Sequence, residues 1–386
     1  MKRTKKSVIF PLTALIIISL LGCAPAKKQE PSLKDALQPF FYMGAALSAD
    51  QISGKDSLSV GLVLRHFNSI TAENIMKSEV VQPVEGQFDF TLADQFIEFG
   101  EKHNMYIVGH TLIWHSQAPD WFFVDAGGKP VSREVLIERM RNHIHTVVGR
   151  YKGKVHGWDV VNEAILNDGS WRQSPFYQII GPEYVKLAFQ FAHEADPNAR
   201  LYYNDYNMSF PGKRNGVINM VKELQNAGIK IDGVNMQGHV NLDRPDINEF
   251  ENSIIAFSEL GVSVSISEFN ITVLPWPAGE LTANVSLSLE NQPNMNPFPD
   301  GLPEEVTQQL YNRYREFFNL FLKHNDKLHR VTVWGVYDGQ SWRNNWPIAG
   351  RTDYPLMFDR NHQAKPFVNT IIQDALSLQQ QLSAME

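Results

Sequence analysis

Short apolar runs and longer amphipathic segments alternate along almost the whole chain. Eight runs have the length and alternation of β-strands: Phe41 to Ala46, Phe67 to Thr71, Tyr106 to His110, Val155 to Val161, Arg200 to Asn204, Gly233 to Gln237, Val262 to Ser267 and Val331 to Gly335. Between most of them the spacing becomes helical, over Leu92 to His103, Arg133 to Arg150, Pro182 to Ala195, Arg214 to Ala227, Ile247 to Leu260 and Pro303 to His324. Parallel strands need a crossover, and strand–helix alternation supplies one each time. Eight such units predict an α/β fold of the closed (β/α)8 TIM-barrel type, one catalytic domain with extended loops at its C-terminal face. No Gly-rich phosphate loop follows any of these strands, which argues against a nucleotide-binding sheet.

The residues that follow the apolar runs carry the chemistry. They are Glu73 and Asn74, His110, Asn162 and Glu163, Asn204 and Asp205, Gln237 and His239, Glu268, and Trp334. In a barrel these positions gather at one face. A carboxylate ending a buried strand costs free energy unless it has a partner or a task. The stretch VSVSISEFN shows the pattern: Val262, Val264 and Ile266 alternate with serines, then comes Glu268, with Asn270 on the same face. Trp114, Trp121, Trp334, Trp342 and Trp346 fall at or just beyond strand ends. Amides, carboxylates and indoles suit a pyranose, which offers apolar faces to stack and hydroxyls to pair. Cys clusters, His-x-x-x-His pairs and Asp-rich loops are missing from the sequence, so neither a metal nor another cofactor is expected. A Gly-x-Ser-x-Gly turn is missing as well, which argues against a serine nucleophile. Cleaving a glycosidic bond takes two carboxyl groups. Glu163 and Glu268 form the best pair; either one by itself would read equally well as a structural acid.

The ends and the charge concern location and partners. Lys2, Arg3, Lys5 and Lys6 precede an apolar run, Val8 to Leu21, too short to favour a membrane span. The ending Leu20-Leu21-Gly22-Cys23 resembles a bacterial lipoprotein signal, with lipid carried on Cys23. Residues 1–22 are therefore expected to be a signal peptide, 23–32 a tether, 33–378 the barrel domain and 379–386 a tail. The expected location is the cell envelope, held to the membrane through that lipid. Cys23 is the single cysteine, so no intramolecular disulfide forms. The formal net charge of −7 argues against nucleic acid as a partner. A monomer is the expected state.

WDVVNEA (Trp158 to Ala164) with a later strand ending in Ser-Glu-Phe resembles glycoside hydrolase family 10, the endo-β-1,4-xylanases. AENIMK (Ala72 to Lys77), GHTLIWHSQAPDW (Gly109 to Trp121), YYNDYN (Tyr202 to Asn207), MQGH (Met236 to His239), VWGVYDGQSW (Val333 to Trp342) and YPLMFD (Tyr354 to Asp359) follow in family order. The resemblance implies a retaining mechanism on xylan or xylo-oligosaccharides. Glu163 would be the acid/base and begin protonated; Glu268 would be the nucleophile and begin ionised, about 5–5.5 Å away. Asn162 would bind the sugar 2-hydroxyl and His239 would hydrogen-bond Glu268. Glu73, Asn74, Lys77, His110 and Gln237 would grip the sugars on the non-reducing side, walled by Trp334 and Trp342. Trp342 would also crowd the C6 group of a hexose. Trp114 would contact substrate, with Tyr206 and Asn207 on the leaving-group side. Read without that context, Lys77 is a solvated cation and His110 a satisfied core histidine.

Three departures stand out. Ser78 replaces the family's usual Trp after Lys77. The segment from Pro275 to Pro303 is long and rich in Pro and Asn, and is expected to shape a distal subsite. Asn270 stands where the family commonly has Asp beside the histidine matching His239, so His239 is expected to be more readily neutral. Rival readings are a barrel cellulase or mannanase, a non-catalytic xylan-binding lipoprotein, and a structural envelope protein.

Overall fold

The computed structural model describes residues 30–276 and 293–385. The expected signal peptide, Cys23 and most of the long Pro- and Asn-rich loop lie outside the described residues.

Among the described residues there are nine parallel strands: β1 Tyr42–Leu47, β2 Ser69–Ala72, β3 Tyr106–Trp114, β4 Gly157–Asn162, β5 Arg200–Asp205, β6 Gly233–Met236, β7 His239–Asn241, β8 Ser263–Thr272 and β9 Leu328–Val333. Neighbours pair in chain order from β1 to β6; β6 then pairs with β8, β8 with β9, and β9 with β1. The sheet therefore closes as the eight-stranded barrel expected from the alternation. The extra strand β7 is short and runs beside the upper half of β8, with His239 opposite Asn270.

Helix boundaries follow local chemistry closely. The helix Arg133–Arg150 starts where the Ser132 hydroxyl accepts the Val135 amide, and its buried residues Leu136, Met140, Ile144, Val147 and Val148 recur at helical spacing. The last helix, Pro366–Ser383, runs past the expected domain edge at 378, and Gln379 in it donates to the Ala36 carbonyl at 2.6 Å.

Alternating apolar and polar residues usually mean one buried and one wet face. Here both faces are buried. In β9, Val331 and Val333 alternate with Arg330 and Thr332, and none of the four is exposed. The polar set bonds inside the barrel instead of meeting water: Tyr106 and Tyr202 hydroxyls meet at 2.8 Å and Asn235 donates to Asp159 at 2.6 Å between strands, while Arg330 donates to Thr332 at 2.6 Å along β9. Glycine makes room for the large members. A Cβ on Gly157 would lie 2.4 Å from the Tyr202 ring, and one on Gly109 would lie 2.2 Å from Trp158.

Glu268 also sits differently from the expectation of a strand end. β8 continues through it to Thr272, with irregular pairing to β9 between Ile266 and Phe269. That irregularity turns Glu268 toward the barrel mouth while Phe269 remains fully buried among Tyr314, Phe317 and Phe321.

Candidate active site

The two acids meet at the barrel mouth through a chain of amides. Glu163 follows the last residue of β4 with φ at 61°, a left-handed backbone that few side chains adopt without compensation. Its amide donates to the Asn204 carbonyl at 2.9 Å, and Arg172 donates to its carbonyl at 2.7 Å. These bonds hold the strained turn. The Glu163 carboxylate accepts from Gln237 at 3.0 Å and from the Trp114 indole at 3.0 Å. Glu268 accepts from Asn204 at 2.7 Å. Asn204 also donates to Asn162 at 3.0 Å, and Gln237 reaches the same Asn162 oxygen at 3.3 Å. Glu268, Asn204, Asn162, Gln237 and Glu163 thus form one continuous line from β8 through β5, β4 and β6. Three amides expected at strand ends are brought together here, and each is fully or nearly fully buried.

His239 lies 3.1 Å from the other Glu268 oxygen through Nε2, while Nδ1 lies 3.0 Å from the Asn270 amide nitrogen. The amide donates to Nδ1, so the ring proton sits on Nε2 and points at Glu268. Burial and the nearby Arg343 charge push His239 down to about 3. The expected neutral histidine is therefore the form this setting favours.

The resting charges differ from the simple expectation for the pair. Burial pushes Glu268 up to about 7, against the His110 imidazole and the Asn204 hydrogen bond, with the Glu163 charge adding to the rise. Burial pushes Glu163 up too, but His115, Gln237 and Trp114 outweigh it and hold the carboxyl below its usual value. His115 is itself pushed to about 4 by burial, so its charge is present only in acid. Above that pH Glu163 loses this electrostatic hold, and the proton the pair shares is freer to move to it.

The other predicted residues surround this line. Lys77 is buried, not solvated: it donates to Asn74 at 2.7 Å and Gln117 at 2.6 Å and lies 4.7 Å from the Trp114 ring centre. Burial lowers its pKa and raises that of Glu73, which accepts from Gln340 at 3.2 Å. His110 is held by Asp159 at 2.9 Å and meets Trp334 edge-on at 5.2 Å. Trp342 packs against His239 at 5.1 Å. Trp121 is turned to packing, stacked on Phe122 with its N–H on the Gln82 carbonyl. On the Glu163 side, Tyr206 accepts from Arg172 at 2.7 Å and lies over Lys213 at 3.7 Å. Asn207 has positive φ and lies 3.4 Å from Asn167.

Asp159, Arg172, His115 and Lys213 do not stand out in the sequence. Lys213 is fully buried and paired with Asp205 at 2.6 Å, a contact that joins a helix to the end of β5. A signal for Asp159 does exist: WDVVNEA places it in the strand that ends in Glu163, with alternation pointing it inward. Arg172 sits in an irregular segment where no periodicity marks it.

Buried carboxyls on opposite sides of a mouth, bridged by amides and walled by indoles, can protonate one side of a sugar linkage and attack the other. A model of the glycosyl hydrolase family 10 matches residues 32–374. The chain is 49% identical over 355 residues to endo-1,4-beta-xylanase A of Xylanibacter ruminicola, covering 92% of this chain and 96% of that one. It is 41% identical over 345 residues to an endo-1,4-beta-xylanase of Geobacillus stearothermophilus, covering 87% and 96%. The solved structure of a family 10 endoxylanase retrieved from a sugarcane soil metagenome superimposes with a TM-score of 0.84 at 43% identity, covering 89% of this chain and 99% of that one.

Proposed function

We propose, from the premise that the chain belongs to glycosyl hydrolase family 10, that it is an endo-β-1,4-xylanase cutting internal bonds of xylan with retention. The observation that carries this reading is the amide line joining Glu163 to Glu268. The proton that rests on Glu268 in the free enzyme passes to Glu163 before the reaction; Glu268 then attacks the anomeric carbon while Glu163 gives that proton to the leaving oxygen. Attachment of the sugar removes the Glu268 charge. The Glu163 carboxylate, freed of a like-charged neighbour, then draws a proton from water for the second step. Asn162 and Asn204 sit where positive charge develops on the ring, and their oxygens and N–H groups are already oriented by each other. Proton NMR during hydrolysis tests the reading. The first product from xylan should be the β-anomer, in mixed chain lengths, with little release from carboxymethyl cellulose or mannan. An α-anomer first, or preference for either other polymer, would overturn it.

The proton shared by the pair sets the pH dependence. With Glu268 pushed up to about 7, kcat/KM falls on the alkaline side as the last proton leaves, above about that pH. Asn270→Asp puts a carboxylate against His239 and favours the imidazolium. That positive charge stabilises ionised Glu268, so the alkaline fall moves to lower pH by roughly one unit. Superimposable pH–rate profiles would exclude this role for Asn270.

The lipid anchor belongs to the same proposal. It is supported by the basic head, the apolar run and Cys23. Cys23→Ser should move the enzyme from the membrane fraction to the soluble fraction; unchanged partitioning would remove the anchor from the account.

A further inference from the structure

Trp342 is one end of a larger aromatic platform. Trp346 packs on it with ring centres 5.2 Å apart, and Trp276 packs on Trp346 at 5.3 Å. Trp276 is 42% exposed. The Arg343 guanidinium lies between the two ends, 4.4 Å from the Trp342 ring centre and 5.5 Å from that of Trp276.

Arg343 is 5% exposed. A cation so far from water is normally paired with a carboxylate or gives its N–H groups to acceptors. Among the described residues its Nε is buried without a partner, and the Trp342 indole N–H beside it is buried without one too. The Asp353 charge acts on Arg343 from a distance, but that carboxylate already accepts from Thr272 at 2.5 Å and from the Val273 and Tyr354 amides. Burial accordingly holds the guanidinium down to about 10. Stacking on indoles stabilises its charge through the faces. It leaves the in-plane Nε–H still wanting an acceptor.

The position of the platform narrows the choice of acceptor. Trp342 touches His239, and His239 touches Glu268, so the platform adjoins the subsite of the sugar being cut. A xylose hydroxyl could take one N–H but would leave the charge unneutralised. A carboxylate matches the guanidinium fork with two parallel bonds, and the sugar ring that carries it can lie on an exposed indole. We infer that Trp342, Arg343 and Trp276 form a site for the carboxylate of a uronic-acid branch on the xylan main chain. It rests on the xylanase reading of the cleft and adds to it a preference for acidic, branched substrate.

Two oligosaccharides test it: a xylo-oligosaccharide bearing one glucuronic-acid branch, and the same compound with the carboxyl reduced to the alcohol. The unchanged enzyme should show a kcat/KM about tenfold higher on the acidic form, the scale of one charge-assisted pair. In Arg343→Gln that ratio should fall to about one, and any loss common to both compounds cancels in it. Trp276→Ala, at an exposed position, should lower the ratio in the same direction and serves if Arg343→Gln does not fold. A ratio near one in the unchanged enzyme, or an equal ratio in enzyme and variants, would overturn the inference. Unbranched xylohexaose separates the two readings: if it too is untouched, the xylanase assignment is what has failed.

Discussion

Glu268→Gln should abolish hydrolysis of xylan, with kcat down by roughly 10⁵-fold or more, the scale seen when a nucleophile is removed. The amide has the carboxylate's shape but cannot attack the anomeric carbon. The site can also accommodate it. Its oxygen can face the Asn204 donor and its NH₂ can face His239, whose proton then moves to Nδ1, with the Asn270 amide turned to accept it. That turn gives the Asn270 oxygen, which has no partner among the described residues, a bond in exchange for the one its NH₂ gives up. Folding should therefore survive, and with it binding of xylo-oligosaccharides. Thermal melting and calorimetric binding check the first part, and initial rates check the second. An activated dinitrophenyl leaving group should not restore turnover, because what is missing is the attacking atom. Residual activity within about a hundredfold of the unchanged enzyme would place the nucleophile elsewhere.

Glu163→Ala should separate substrates by leaving group. On xylan the missing proton donor should lower kcat by about 10²–10⁴-fold. A dinitrophenyl xylobioside needs no proton to depart, so its first step should stay fast and the glycosyl-enzyme on Glu268 should accumulate as a burst. Removing the acid also removes the base that activates water. Azide, an anion that needs no base, should fit the space left beside Gln237 and Trp114 and restore turnover. The product should be the β-glycosyl azide. Equal losses on xylan and on the aryl glycoside, with no rescue, would show that Glu163 acts through structure instead of through proton transfer.

These two roles are legible in the order of residues because short windows of the chain record them. The strand period, the polar residue that follows it and the motif order are all local properties. The helix Arg133–Arg150 is expected with those bounds for the same reason: Ser132 can cap, and the apolar positions recur at 3.6 residues. Closure into a barrel follows from eight repeats of one local unit.

Partners contributed by distant elements are not legible in this way. Asp159 behind His110, Arg172 behind Glu163 and Asn204 between the two acids are set by the register of strands that meet only in the closed sheet. Lys77 shows the limit clearly. Its sequence neighbours cannot tell a solvated cation from a buried one; Gln117 and Trp114, brought over from β3 and the loop after it, decide. Order of protonation is likewise out of reach, since a carboxyl pKa depends on burial and on every nearby charge, and none of these is local in sequence.

The serines and threonines between the apolar residues of β8 and β9 mark the same division. Residue order sets their period of two, because backbone geometry points alternate side chains to opposite faces whatever the surroundings. It does not say what each face meets. Only closure of the sheet turns the polar face inward, where Ser267, Asn204 and Asp159 must bond to neighbouring polar groups for want of water, and so brings Glu163 and Glu268 to one mouth. Chemistry carried by single side chains is written residue by residue; chemistry that depends on distance and burial exists only once the chain has closed.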